Sequence, residues 1–196
     1  MIAVIDYKAG NLTSVMKALH AVGADAIATS DPSIVLRADK MVLPGVGHFS
    51  ATAYLEETGL KQAIKEQVQE GVPFLGICVG LQWLFDGSTE APDTSGLEVF
   101  RGQCERFREG IKIPHVGWNS IDVKDSRLLQ GVSCGDFVYF THSYRAPVIQ
   151  DTVAVTEYGA PFTAAAERGN IMGVQFHPEK SGPIGLRILE NFVRLP

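Results

Sequence analysis

A cysteine flanked by glycines, Gly76-Ile77-Cys78-Val79-Gly80, follows the apolar run Val72-Pro73-Phe74-Leu75 and opens the stretch Val79 to Phe85. The order reads as buried strand, sharp turn and helix, with a thiol at the reactive position of a nucleophile elbow. A nucleophile at the tip of such a turn crowds the residues two before and two after it, and glycine supplies the clearance. The helix begins at the cysteine, so its free N–H groups and positive dipole end favour thiolate over thiol. Alone, the pattern is better explained by a structural cysteine in an ordinary βα turn. A second motif reverses that balance. His177 stands where the apolar segment Ile171 to Phe176 ends, Pro178 turns the chain, and Glu179 lies within reach of the imidazole. A cysteine nucleophile needs a base, and the base needs a group that sets its tautomer. Cys78, His177 and Glu179 supply all three, in an order unlike the Ser…Asp…His of α/β-hydrolases.

Acyl transfer also needs two N–H donors for the tetrahedral oxyanion. Elbow geometry makes the N–H of Val79 one of them. Pro44-Gly45-Val46-Gly47 is a natural source of the second, because its glycines let a peptide N–H be re-aimed; it reads equally well as a plain strand-to-helix turn.

The elements that must position these groups alternate through the first half. Ile2 to Ile5, Ala24 to Thr29, Lys40 to Leu43 and Val72 to Ile77 read as strands; Leu12 to Val22, Ser50 to Leu55 and Leu60 to Gln69 read as helices. That alternation predicts an α/β fold with a doubly wound, mostly parallel sheet whose ligands bind beyond the C-terminal strand ends, where Cys78 and Gly45 to Gly47 fall. Asp86 to Gly96 reads as an irregular loop. Cys104-Phe107, Ser120-Val123, Phe137-His142, Val153-Glu157 and Thr163-Ala166 are expected to extend the sheet, partly antiparallel, and to cover its far side. Strand Ile171 to Phe176 returns to the core, and helix Gly185 to Arg194 closes the chain. No repeat, low-complexity tract or linker divides residues 1–196, so one domain is expected.

At 196 residues the chain can bury one large core, and 45% hydrophobic with 20% charged residues is ordinary for a globular protein. A formal charge of −5 argues against a nucleic-acid partner. No apolar run approaches the roughly 20 residues of a membrane span. The segment Met1 to Asp6 is too short and lacks the basic leader of a secretory signal. The three cysteines Cys78, Cys104 and Cys134 suit a reducing, cytoplasmic setting, with Cys104 and Cys134 as core fillers and not metal ligands. His20, His48 and His115 have no acid at useful spacing and read as structural. No phosphate-cradling loop is present, and Gly45-x-Gly47 is followed by His48-Phe49-Ser50 without the glycine that completes a dinucleotide fingerprint.

The elbow together with His177-Pro178-Glu179 resembles the class I, triad-type glutamine amidotransferases. Further segments are similar to one branch of that family, the glutaminase subunits of imidazole glycerol phosphate synthases. These are Asp6 to Leu12, Leu43 to Gly47, Ile113-Pro114-His115-Val116-Gly117-Trp118-Asn119, Tyr139 to Tyr144, and His177 to Gly182. Two segments depart from the pattern: Lys8-Ala9 stand where a glycine-rich turn is expected, and Val79 where leucine or methionine is. The resemblance implies hydrolysis of glutamine to glutamate and ammonia, with no cofactor and no metal. It implies oxyanion donors at Val79, Val46 and Gly47. Substrate contacts are implied at Gln82, one helical turn past Cys78, at Glu90 in the acidic loop, and through the backbone of His142, Ser143 and Tyr144. It further implies a heterodimer with a (βα)8-barrel cyclase of histidine biosynthesis, which Asn11, Trp118, Tyr139 and Lys180 would face; Lys8 lies near that face. Three other readings stay open: a free-standing cysteine hydrolase or peptidase, a binding module with a decayed site, and a glutaminase serving another pathway such as pyridoxal phosphate synthesis.

Overall fold

Four consecutive buried apolar residues, Ile2–Ile5, form strand β1, and a strand with no polar alternate has to be covered on both faces. Helix α1 (Leu12–Ala21), strand β2 (Ala26–Thr29), the single turn α2 (Pro32–Val35) and strand β3 (Lys40–Gly45) follow. A 3-10 turn over Phe49–Thr52 leads into α3 (Ala53–Glu57), then α4 (Leu60–Gln69), β4 (Phe74–Cys78) and α5 (Val79–Trp83). Short strands come next: β5 (Gly87–Ser88), β6 (Gln103–Arg106), β7 (His115–Ser120), β8 (Asp122–Val123), β9 (Phe137–His142) and β10 (Tyr144–Arg145). Strands β11 (Thr152–Glu157), β12 (Pro161–Arg168) and β13 (Ile171–Val174), a 3-10 turn at Pro178–Lys180 and helix α6 (Gly182–Arg194) complete a computed structural model that describes Met1–Pro196.

The central sheet runs β2-β1-β3-β4-β13-β12-β11-β8, parallel from β2 to β13 and antiparallel beyond. The predicted α/β class is therefore present, with the parallel half carrying the elbow. Its register assembles the site. β13 lies parallel to β4 with Val174 opposite Ile77, so Cys78 and the segment after Val174 emerge at the same edge. On the other flank β3 continues through Pro44 to Gly45, which stands opposite Cys78.

The short β segments do not all join the sheet, which corrects the sequence expectation. Only β8, β11 and β12 extend it; β7 and β9 pair as a separate antiparallel ribbon, and β5, β6 and β10 form a small third sheet. The reason lies in β9, where exposed and partly exposed residues alternate with buried ones, the pattern of a ribbon with one dry face laid over the core. Turn α2 went unpredicted despite a local signal: the Asp31 carboxylate accepts from the Ser33 N–H at 2.8 Å, and Pro32 starts the turn.

Candidate active site

Cys78 ends β4 and caps α5 at φ 56° and ψ −105°, a backbone conformation that a side chain adopts only when its surroundings enforce it. The surroundings here are glycines in close approach. A Cβ on Gly76 would stand 2.3 Å from the Gly80 carbonyl oxygen, and one on Gly80 would stand 2.1 Å from that of Leu43. A Cβ on Gly45 would meet the Tyr7 hydroxyl at 2.5 Å and the Val79 Cβ at 2.7 Å. The elbow is thus locked between β3 and its own helix, and Cys78 is 3% exposed.

His177 lies just past β13, and its Nδ1 is 2.8 Å from Glu179 Oε1, both side chains being buried. Nδ1 therefore carries a proton for the carboxylate, and Nε2, which has no hydrogen-bond partner, is free for proton transfer. Burial opposes a charge on this ring, but the Cys78 sulfur and the Glu179 carboxylate outweigh it and push His177 up to about 10. The backbone of this turn is clamped to the ribbon: the His177 N–H donates to the Tyr139 carbonyl at 2.8 Å, and the Tyr139 N–H donates to Ser181 Oγ at 2.9 Å.

A cavity of about 190 Å³ opens over the sulfur, lined by Gly47, Cys78, Val79, Gln82, Glu90, Pro114, Thr141, His142, Ser143 and Tyr144. Val46 is half-buried and lies outside this lining. Gln82 is a buried amide; its Nε2 donates to the Tyr144 carbonyl and to Gln175 Oε1, each at 3.0 Å. One oxygen of Glu90 accepts from the Phe49 N–H at 2.8 Å, which ties the acidic loop to the 3-10 turn. His142 is structural: its Nδ1 donates to the Tyr144 carbonyl at 2.8 Å and its Nε2 accepts from His115 Nδ1 at 3.1 Å. Burial pushes His115 down to about 4 and His142 to about 3, so both rings stay neutral.

On the rim, Trp118 is 54% exposed and meets the Tyr139 ring edge-on at 6.0 Å, with Lys180 Nζ 5.8 Å from the Tyr139 ring centre. Asn11 sits half-buried at the start of α1. Lys8 adopts φ 66°, the left-handed conformation that glycine would take without strain. Cys104 is buried as expected, whereas Cys134 is exposed; its sulfur lies 3.3 Å from the Val123 nitrogen, outside the core. No group of three His, Cys, Asp or Glu side chains could hold a metal ion, and no helix is long and apolar enough to cross a membrane. Two residues at the nucleophile escaped the sequence reading. Gln175 donates to Cys78 Sγ at 3.5 Å, and its only sequence signal was a lone polar residue within an apolar strand. The buried Tyr7 hydroxyl has no partner, and burial together with the Cys78 charge raises its pKa.

Residues 3–195 match the family described as glutamine amidotransferase class-I. The chain is 50% identical over 198 residues to the imidazole glycerol phosphate synthase subunit HisH of Methanothermobacter thermautotrophicus, covering 100% of this chain and 98% of that one. It is 50% identical to the subunit of the same name from Thermococcus kodakarensis, over 100% of both chains. Among solved structures, a crystal structure of a glutamine amidotransferase shares the fold, with a TM-score of 0.78 at 18% identity and 100% coverage of each chain.

Proposed function

The chain belongs to the class I glutamine amidotransferases, among the HisH subunits of imidazole glycerol phosphate synthase, and from that premise we propose that Cys78, His177 and Glu179 hydrolyse glutamine and that the ammonia passes to a separate cyclase subunit. The observation that carries the reading is a strained cysteine elbow opening into a pocket, beside a buried histidine hydrogen-bonded to a buried carboxylate.

The sulfur, as thiolate, attacks the side-chain amide carbon, and the oxyanion takes hydrogen bonds from the Val79 N–H and from the Val46–Gly47 peptide. The His177 imidazolium gives its proton to the departing nitrogen, so ammonia leaves and a thioester remains. The now neutral ring takes a proton from water, which cleaves the thioester to glutamate and restores the pair. Glu179 holds the ring's orientation and its charge without moving a proton itself. The free oxygens of Glu90 and Gln82, with the backbone of His142 to Tyr144, suit the glutamine ammonium and carboxylate groups.

The partner is a (βα)8-barrel cyclase seated on the rim bearing Asn11, Trp118, Tyr139 and Lys180. Support comes from the outward face of the β7–β9 ribbon, where Val116, Trp118 and Phe137 are all more than half exposed. The same ribbon anchors the His177 backbone, so a partner pressing on it presses on the base. The test is steady-state glutaminase activity of the chain alone, with such a cyclase, and with the cyclase plus its nucleotide ligand. Losing one oxyanion donor lowers kcat about 10²–10³-fold, so a peptide turned away at rest predicts activation of that order. Three rates equal within about twofold, far below that effect, would refute the gated site.

A further inference from the structure

Beside the nucleophile stands an amide that the acyl-transfer scheme leaves without a task. Gln175 is fully buried, and its side-chain nitrogen lies 3.5 Å from Cys78 Sγ. Which end of a glutamine amide faces a neighbour is decided by its hydrogen-bond partners. Here they form a chain that ends on a group unable to reverse. The Tyr144 carbonyl can only accept, so the Gln82 atom 3.0 Å from it is the NH₂ group. That NH₂ is also 3.0 Å from Gln175, whose near atom must then be the acceptor Oε1. The Gln175 N–H is left pointing at sulfur. Turning Gln175 over would oppose two NH₂ groups in a buried space and leave a carbonyl against the nucleophile.

We propose that Gln175 is a further catalytic residue, whose N–H hydrogen-bonds the Cys78 sulfur and stabilises it as thiolate, and that Gln82 is a positioning residue that keeps Gln175 the right way round. The proposal rests on the glutaminase reading only for the identity of the acyl donor. Hydrogen bonds to an ion are roughly twice as strong as neutral ones, so the contact favours the anion. Its charge does not change during turnover. His177 gives up its proton as ammonia leaves, whereas Gln175 still faces the sulfur when water expels it from the thioester. The titratable groups around Cys78 are Tyr7 after β1, His177 and Glu179 after β13, His142 on β9 and Glu90 at the pocket mouth.

The experiment follows the pH dependence of Cys78 alkylation by iodoacetamide in the full chain, read by mass spectrometry of the Cys78 peptide. Gln175→Met keeps the side-chain length and removes the donor, leaving all five titratable neighbours in place. Its alkylation midpoint is expected to rise by about one pH unit, the effect of one hydrogen bond to an ion. Below the midpoint the rate falls only about threefold, because a more basic sulfur is more nucleophilic. kcat is expected to fall with KM little changed. Gln82→Met leaves Gln175 free to turn and is expected to give a smaller upward shift. The double variant should match Gln175→Met alone, since both changes act on one donor. A Gln175→Met profile that overlays the parent's overturns the proposal, and so does a double variant whose shift is the sum of the two. Should Gln175→Met fail to fold by circular dichroism, Gln82→Met decides, and no shift there overturns it. Iodoacetamide needs no glutaminase turnover, so inactivity toward glutamine would refute the functional reading and leave this result standing.

Discussion

At the residue scale the site's chemistry depends on where one proton rests. His177 is held protonated by the Cys78 sulfur and Glu179 against the opposing effect of burial, and Glu179 is the only acid bonded to the ring. A group held near 10 predicts that kcat/KM falls as pH rises past that value, because the deprotonated ring cannot protonate the leaving nitrogen. Glu179→Gln removes one of the two groups holding the proton, so its basic limb is expected at lower pH. Its loss of activity should be smaller than that of His177→Ala, which removes the proton carrier itself. A pH–rate profile for Glu179→Gln unchanged in height and position would show that the acid has no part. Cys78→Ser is expected to abolish hydrolysis while preserving the fold, since the hydroxyl lacks thiolate character. A glutamine-like electrophile should label Cys78 and spare both buried Cys104 and exposed Cys134; equal labelling of all three would refute the nucleophile assignment.

At the element scale the nucleophile is aimed by contact between β3, β4 and α5. Gly80 lies against the Leu43 carbonyl, so Gly80→Ala must push β3 and α5 apart. The expected cost is roughly 1–3 kcal/mol of stability, with slower alkylation of Cys78 as the elbow shifts. Gly47 is different: no atom lies within 4 Å of a Cβ built there, but its φ of +102° resists any side chain. Gly47→Ala is therefore expected to fold and to keep Cys78 alkylation by iodoacetamide, while turnover falls about 10²–10³-fold through a misplaced oxyanion peptide. Thermal melting, alkylation and glutaminase rate, measured on both variants, separate the two mechanisms; equal turnover in Gly47→Ala and the parent would remove the Val46–Gly47 peptide from the oxyanion site.

At the scale of the whole molecule, buried histidines pull stability in opposite directions with pH. His115 and His142 titrate near 4 and 3 when folded, below the unfolded value of 6.5, so the folded state refuses protons that the unfolded chain accepts. Their contribution is complete above 6.5 and is lost as pH falls, with a slope of up to about 1.4 kcal/mol per pH unit for each ring. His177 runs the other way: its contribution is complete below 6.5 and is lost as pH rises toward 10. Stability is expected to peak near neutrality. Urea unfolding between pH 7 and 4.5, a window above most carboxylate titrations, isolates the histidine pair, and a flat profile there would show that the rings are not buried neutral. The pair also backs the β7–β9 ribbon, since His115 stacks on Phe140 at 4.9 Å and on Tyr158 at 4.0 Å beneath the exposed face that bears Trp118.

The elbow, the His177-Pro178-Glu179 turn and the alternating strands and helices of the first half were legible in the sequence because each is local. Glycine clearance, a strand-ending proline and apolar runs act within a few residues, and helix α4 was placed at Leu60–Gln69 on spacing alone. What the tertiary structure decided is where those local pieces meet. The Cys78–Gln175 contact joins residues 97 apart and exists only because β13 lies beside β4 in one register. A shift of one residue would reverse the faces of the strand, and nothing within β13 itself encodes the neighbour it selects. The same holds for the His115–His142 pair, 27 residues apart, and for the ribbon that separates from the main sheet. Gln82 was placed on the Cys78 face of its helix, but helical spacing shows which face a side chain takes and not what is packed against it. Its burial, and with it the orientation of Gln175, is set by the Tyr144 carbonyl that the folded chain brings to it from 62 residues away.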